Sequence, residues 1–334
     1  MSSIARGISI GDHALPNKAF LAPMAGITDR PFRTIAERHG AGLVVSEMIA
    51  SSALAAAQND MVRRLNKREG RLPHVVQLAG CEAEWMQRGA EIACDAGADI
   101  LDINFGCPAK RVTNGFAGSA LMRVPDQALK LVETVVSATS LPVTVKMRLG
   151  WDDDCLNAAQ IARDAVNAGV KMITVHGRTR QQFYKGTARW GLVRAVVEAV
   201  DVPVVVNGDV VDLASAREAL QQSGAAAVML GRGAQGRPWV VGQIGAALAD
   251  EQVPEAPAGD ELIELIAVHY EDMMSEYGTH VGVRAARKHL DWYLEALGIV
   301  LDKPTRHGLL NAESPEAVLA MIPEIYSGNW REAA

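Results

Sequence analysis

Short apolar runs and longer polar-apolar stretches take turns along this chain. The runs are Phe20–Met24, Leu43–Glu47, Val75–Ala79, Ile100–Asn104, Val143–Arg148, Met172–His176, Val202–Asn207 and Ala226–Gly231. Each has the length and near-continuous apolarity of a strand buried on both faces. Between most of them lies a segment with helical period: Pro31–Gly40, Glu82–Ala96, Pro125–Ala138, Ala158–Ala168, Leu192–Val200 and Ala214–Ser223. Alternating strand and helix implies parallel pairing, because a parallel return needs a crossover. Eight such units in roughly 250 residues match a (β/α)8 barrel. A doubly wound open sheet is the alternative, and the absence of G-x-G-x-x-G after the first run counts against it. Ala96-Gly97-Ala98, Ala168-Gly169-Val170 and Ser223-Gly224-Ala225 each precede an apolar run. Glycine there closes a helix and marks the barrel's stability face.

The pattern changes after the last run. Glu251 to Asp260 is rich in Pro, Ala and acid, and reads as a linker. Beyond it, Glu261–Tyr277, Val281–Leu297, Leu301–Asn311 and Pro315–Ile325 are purely helical. The expected organisation is an α/β chain with a (β/α)8 TIM barrel over 1–250, a linker over 251–260, and a small C-terminal all-α helical domain over 261–334.

Composition narrows the partners. Over 334 residues, 49% are hydrophobic, enough for a large core. No apolar stretch approaches membrane-spanning length and no signal core opens the chain, so a soluble, cytoplasmic protein without a membrane partner is expected. Cys81, Cys94, Cys107 and Cys155 form no C-x-x-C pair, which gives no support to a metal site or disulfide framework. The net charge of −6 argues against a generic nucleic-acid binder. From Ala258 onward 6 Lys and Arg face 13 Asp and Glu. Any polyanion site must therefore be a local patch.

In such a barrel the reactive groups come from the C-terminal ends of the strands. Every run ends in polar or glycine residues: Pro23-Met24-Ala25, Ser46-Glu47, Gln77, Asn104 with Cys107, Lys146 with Arg148, His176-Gly177-Arg178, Asn207-Gly208-Asp209, and Gly231-Arg232. The most informative is Asn104-Phe105-Gly106-Cys107-Pro108-Ala109-Lys110. Pro108 restricts Cys107, and Gly106 allows close backbone approach. A lone cysteine is more often inert core, but the flanking amide and ammonium set this one apart. Alternation places Thr144, Lys146 and Arg148 on one face. A Lys turned into a barrel must meet a partner or a bound anion; the other option is a Lys facing outward at the strand's end. Gly208 and Gly231 follow the last two runs, the usual phosphate site of this fold. With Arg232 they point to a phosphorylated cofactor such as FMN, whereas either glycine alone would read as a turn. His176 reads as a hydrogen-bonding group rather than a proton carrier.

Ala22-Pro23-Met24-Ala25-Gly26-Ile27-Thr28-Asp29-Arg30-Pro31-Phe32-Arg33 resembles the opening motif of the tRNA-dihydrouridine synthases. Asn104–Lys110, His176-Gly177-Arg178-Thr179, Asn207-Gly208-Asp209 and Gly231–Trp239 are similar to further motifs of that family, in its order. The resemblance runs from about Ile8 to Tyr326. Gly236-Arg237-Pro238-Trp239 and Ala286-Arg287-Lys288-His289 make it most similar to the bacterial B type. It implies an FMN flavoprotein that reduces the 5,6 double bond of D-loop uridines in tRNA with NADPH. Pro23, Met24 and Ala25 would line the FMN ring. Gln77, Lys146 and His176 would bond its pyrimidine side, and Asn207, Gly208, Asp209, Gly231 and Arg232 its ribityl phosphate end. Cys107 would be the active-site acid and Asn104 would contact the uracil. Arg284, Arg287 and Lys288, at i, i+3 and i+4, would form a stripe toward tRNA phosphates. Lys110, Arg111, Arg178, Arg180, Lys185 and Arg237 would ring the mouth. Two other readings stay open: a flavin reductase acting on a small pyrimidine, and an RNA-binding factor with a vestigial flavin site.

Overall fold

The computed structural model describes residues 8–327 apart from positions 68 and 114. A two-stranded antiparallel ribbon, β1 (Ser9–Ile10) and β2 (His13–Ala14), opens it. Then follow β3 (Ala19–Leu21), β4 (Leu43–Val44), β5 (Ile49–Ala50), β6 (Val75–Ala79), β7 (Ile100–Phe105), β8 (Val143–Arg148), β9 (Met172–His176), β10 (Val204–Asn207) and β11 (Ala227–Leu230). All nine pair in parallel, in the order β4-β3-β11-β10-β9-β8-β7-β6-β5. The first and last of that order are two halves of one barrel position. A parallel bridge between Val45 and Val75 joins the end of β4 to β6, the strand on which β5 also pairs, and Ser46 N–H donates to the Val75 carbonyl at 3.0 Å. The sheet thus closes into the eight-position barrel that the alternating pattern implies.

The expected run Leu43–Glu47 is broken because side chains replace the ladder there. Ser46 Oγ accepts the Gln77 N–H at 2.9 Å, and Glu47 Oε1 turns aside to accept the Gly26 N–H at 2.6 Å.

Alternation along each strand sorts the residues between two environments. On β7, Leu101, Ile103 and Phe105 join the large core between barrel and helices. Ile100, Asp102 and Asn104 take the opposite, inner face. The inner layer near the strands' N-terminal ends is apolar: Phe20, Leu43, Val75, Ile100, Met172, Val205 and Met229, with Ile10 of the ribbon plugging the end. Higher up the inner face becomes polar, with Gln77, Asp102, Asn104, Thr144, Lys146, Arg148 and Asn207 all buried. The polarity gradient of the barrel axis is thereby written into single strands.

The crossover helices follow the helical-period segments closely, from Arg30–Arg38 to Leu213–Ser223. Asp29 caps the first by accepting the Phe32 N–H at 3.0 Å, with a proline in its first turn. Gly97, Gly169 and Gly224 adopt φ of +81°, +114° and +71° before the strands they precede. The segment expected as one helix over Leu192–Val200 is a 3-10 turn, Trp190–Val193, running into Arg194–Val197. A further helix, Val240–Leu248, follows the last strand. It gives little amphipathic signal because it is buried nearly all round, and Gly242 lets it sit against the His39 carbonyl.

Four helices complete the described residues: Gly259–Tyr277, Thr279–Leu297, Lys303–Asn311 and Pro315–Tyr326. The first takes in the last two residues of the expected linker. Ile266, Tyr270, Met273, Leu290, Tyr293, Ile322 and Ile325 form their common core, joined by Trp239 from the barrel's last loop. Charged groups tie them to the barrel. Glu276 bonds Arg30 at 2.7 Å and Arg63 at 3.0 Å, and Tyr277 donates to Asp29 at 2.9 Å. At Gly236, φ +69°, a Cβ would strike the Trp292 carbonyl. That glycine allows the Thr279–Leu297 helix to lie directly on the loop after β11.

Candidate active site

A cleft of about 920 Å³ opens at the C-terminal ends of the barrel strands, at the upper end of the size range for cofactor and substrate sites. Its lining comes from around the barrel: Pro23, Met24 and Ala25 after β3, Gln77 on β6, Asn104 and Cys107 at β7, Lys146 and Arg148 on β8, His176 and Arg178 at β9, Asn207–Asp209 after β10, and Gly231–Gly233 after β11. Trp292, Glu295 and Ala296 reach it from the helical part.

The turn after β7 is built by Asn104. Its Oδ1 accepts the N–H groups of Gly106 at 3.1 Å and Cys107 at 2.9 Å. The Cys107 carbonyl accepts from Ser119 N–H at 3.1 Å and Ser119 Oγ at 2.9 Å. The cysteine backbone is thus held on both sides, while its side chain is half-buried and faces the cleft. Arg148 supports the same turn from below. Its Nε donates to the Gly106 carbonyl at 2.8 Å, and its Nη1 to the carbonyls of Thr179 and Phe183.

Lys146 points inward, as the alternation implied. Its Nζ donates to Asn207 Oδ1 at 3.0 Å, and Asn207 in turn donates to the Met229 carbonyl at 2.7 Å. Burial, with Arg148 beside it, lowers the Lys146 pKa to about 8, against the opposing pull of Asp102. Burial and the cations Arg148, Lys146 and Arg178 hold His176 well below its ordinary value, so it is neutral. Arg178 Nη1 lies 3.3 Å from His176 Nε2. An arginine can only donate, so Nε2 is the acceptor and the ring proton sits on Nδ1. Among the charged residues lining the cleft, Lys146, Arg148, Arg178, Arg232 and Arg237 face only Asp209 and Glu295. A chain that is acidic overall therefore carries a positive cleft, matched to an anionic occupant.

The loops after β10 and β11 are shaped by glycine. Gly208 has φ +110°, and a Cβ there would stand 3.0 Å from the Ala188 methyl and 3.1 Å from the His176 ring. At Gly233 a Cβ would meet the Val210 carbonyl at 2.6 Å. Asp209 accepts from Arg178 Nη2 at 2.6 Å and from the Ala188 N–H at 2.8 Å, with Arg232 3.7 Å away. It orders the two arginines and leaves Arg232 half-exposed at the rim. Backbone that passes close to the cavity beside an exposed guanidinium is what a phosphate-bearing ligand requires.

Of the residues expected at the mouth, Lys110 and Lys185 are exposed. Arg178 is not at the rim: it is 2% exposed and committed to Asp209 and to the Lys185 and Gly186 carbonyls. Arg180 is half-buried over the Trp151 ring. Arg237 bonds the Gly233 and Val211 carbonyls. The Arg111 side chain lies outside the described residues. The stripe on the Thr279–Leu297 helix is graded: Arg284 is exposed, while Arg287 and Lys288 are half-buried. Lys288 Nζ lies against Gly26, drawn toward Asp29 and Glu47.

Three features escaped the sequence reading. Asp102 lies buried beneath Gln77, one inward position before Asn104 on the same strand. Phe183 and Tyr184 line the cleft from the loop after β9, with Arg148 and Arg232 over the Tyr184 ring at 5.5 and 5.0 Å. Trp292, Glu295 and Ala296 come from a distant helix. Alternation from Asn104 could have found Asp102; no local signal marks the others.

A family model described as dihydrouridine synthase matches residues 20–318. A probable tRNA-dihydrouridine synthase of Rhodobacter capsulatus is 55% identical over 329 residues, covering 98% of this chain and 99% of that protein. The tRNA-dihydrouridine synthase B of Xanthomonas axonopodis pv. citri is 40% identical over 323 residues, covering 96% of each. Among solved structures, morphinone reductase in complex with tetrahydroNAD superposes with a TM-score of 0.52 at 16% identity, covering 78% of this chain and 94% of that one. At that identity the likeness is one of fold.

Proposed function

The chain belongs to the dihydrouridine synthase family, and on that premise we propose that it reduces the C5=C6 bond of D-loop uridines in tRNA to 5,6-dihydrouridine, with FMN in the cleft and NADPH as reductant. The observation that carries this reading is a half-buried thiol, Cys107, sharing one cleft with the cations Lys146, Arg148, Arg178 and Arg232.

The cleft's residues fit the cofactor. Pro23, Met24 and Ala25 would lie along the FMN ring. Gln77, Lys146 and His176 would face its pyrimidine edge, and Asn207, Gly208, Gly231 and Arg232 its phosphate end, with Asp209 holding Arg232 in place. Reduced FMN, when bound, supplies the hydride that goes to C6 of the uracil. The chain's own part is to complete the reduction: the carbanion formed at C5 takes the Cys107 proton, and the thiolate regains one from water. Thiols ordinarily keep their proton at neutral pH, so a cysteine in this role needs no neighbouring base, unlike a nucleophilic one. Lys146, protonated at pH 7 with its pKa near 8, offers positive charge to an electron-rich ring. Asn104, whose Nδ2 spends one N–H on Gln77 Oε1 at 2.8 Å, would use the other to meet a uracil oxygen. The target base has to leave its stack to reach this depth. Lys110, Arg284 and the remaining cations of the helical part would hold the tRNA backbone, while Arg178 would act from within the cleft.

Unmodified tRNA transcript incubated with the purified protein, FMN and NADPH tests the reading. The expected product is dihydrouridine in the D-loop fragment, two mass units heavier by mass spectrometry. Reduction of free uracil but not of tRNA would replace the reading with a small-molecule reductase. A colourless protein that binds no FMN would defeat both.

A further inference from the structure

We propose that Asp102 is a positioning residue: it supplies the acceptor that ends a hydrogen-bond chain running from the Cys107 turn through Asn104 and Gln77. As a result, this wall of the cleft offers N–H donors to its ligand.

Asp102 sits in the middle of β7 on the inner face, 3% exposed. Its Oδ1 accepts from Thr144 Oγ1 at 2.6 Å and its Oδ2 from Gln77 Nε2 at 2.7 Å. Gln77 Oε1 accepts from Asn104 Nδ2 at 2.8 Å. Asn104 Oδ1 accepts the N–H groups of Gly106 and Cys107. Taken singly, either amide could be turned over, since rotation exchanges its donor and acceptor with almost no change of shape. Taken together they cannot. The two backbone N–H groups only donate, so Asn104 must turn its oxygen toward them. Its nitrogen then faces Gln77, which must answer with oxygen. The Gln77 nitrogen then faces position 102, which must accept. A carboxylate is suited to that end because, ionised, it only accepts.

The consequence reaches the ligand. Each amide nitrogen carries two hydrogens, and the chain uses one of each. Gln77 and Asn104 both line the cleft, so each has an N–H left to offer a ligand there. They suit a ligand edge that bears carbonyl oxygens. The structural claim stands on this geometry; only its consequence for uridine reduction rests on the function proposed above.

The test is a double-mutant cycle on the holoenzyme with Cys81, Cys94 and Cys155 replaced by Ser, reading Cys107 alkylation by iodoacetamide across pH. Asp102→Asn keeps the chain, because its oxygen can accept from Gln77 while its nitrogen donates to Thr144 Oγ1, whose own hydrogen can turn to the Leu101 carbonyl. Asn104→Asp leaves acceptors at both ends, which Gln77 cannot satisfy together. Asp102→Asn alone should therefore leave the alkylation profile within about threefold of the parent, while Asn104→Asp alone should change the rate by about tenfold or more, the scale of coupling within one hydrogen-bond network. The double variant Asp102→Asn/Asn104→Asp lets the chain run in reverse. The new amide donates to Gln77, Gln77 donates to the new carboxylate, and that carboxylate still accepts from Gly106 and Cys107. Its profile should return to within about threefold of the parent, a rescue that neighbours in one network can show. A side chain at 102 that only fills space predicts instead that Asp102→Asn leaves the Asn104→Asp effect unrelieved, and that result would overturn the proposal. Should Asn104→Asp fail to fold, recovery of folded protein in the double variant is the same rescue, and continued failure the same refutation. Rescue in a protein that makes no dihydrouridine would keep the positioning role and remove the proposed reaction.

Discussion

Lys146→Met should make the empty protein more stable at neutral pH. The Lys146 ammonium is buried, and its pKa falls from 10.5 to about 8. That drop corresponds to about 3 kcal/mol by which the empty cleft disfavours the charged form. Methionine fills similar volume without the charge, but it forfeits the bond to Asn207 Oδ1, worth about 1–2 kcal/mol. The net gain at pH 7.5 is therefore about 1–2 kcal/mol. The sign of the pH dependence follows from proton binding. Between pH 8 and 10.5 the unfolded lysine holds more proton than the folded one, so wild-type stability rises with pH across that window. Over it the variant's advantage should shrink by up to about 3 kcal/mol and reverse. Urea unfolding of flavin-free protein at pH 7.5 and pH 10 measures both quantities, and taking the difference between the two proteins cancels their shared titrating groups. A variant that is less stable at pH 7.5, with a difference that does not change by pH 10, would refute the reasoning. On the proposed function the same substitution should also weaken FMN binding, by removing a cation from the cleft.

Two further outcomes follow from the geometry. Gly208→Ala puts a methyl against the His176 ring in a left-handed conformation. It should cost about 1–3 kcal/mol of stability and weaken FMN binding, read by thermal unfolding and flavin titration. Glu276→Gln removes the carboxylate that holds Arg30 and Arg63. It should lower stability by about 1–3 kcal/mol, less than a fully buried pair because Arg30 is partly exposed. Limited proteolysis should then cut the 251–258 stretch faster, and an unchanged cleavage rate would count against the clamp.

The barrel was legible because two periods are superposed in its strands. The outer faces of Ile100–Phe105 and Val143–Arg148 are uniformly apolar, and the inner faces turn polar toward the C-terminal ends. That is why alternation alone sets Lys146 on the barrel's inner face. What failed did so for physical reasons. Glu47 and Ser46 bond across to neighbouring strands and break β4 from β5, a long-range effect with no local signature. Val240–Leu248 is buried on nearly every side and so lacks an amphipathic pattern. Arg178 reads as a surface cation in sequence, yet Asp209, 31 residues away, draws it inside. The basic set on the Thr279–Leu297 helix shares one sector of that helix, but packing against Gly26 takes Lys288 from solvent.

Cys107→Ala, followed through both half-reactions, tests the central claim most directly. The variant should bind FMN, stay yellow and be reduced by NADPH at the wild-type rate. Its reduced form should then fail to transfer to tRNA, with reoxidation by tRNA slowed by about 10²–10⁴-fold, the range for losing a positioned general acid. Transfer to uridine at the wild-type rate in that variant would contradict the account.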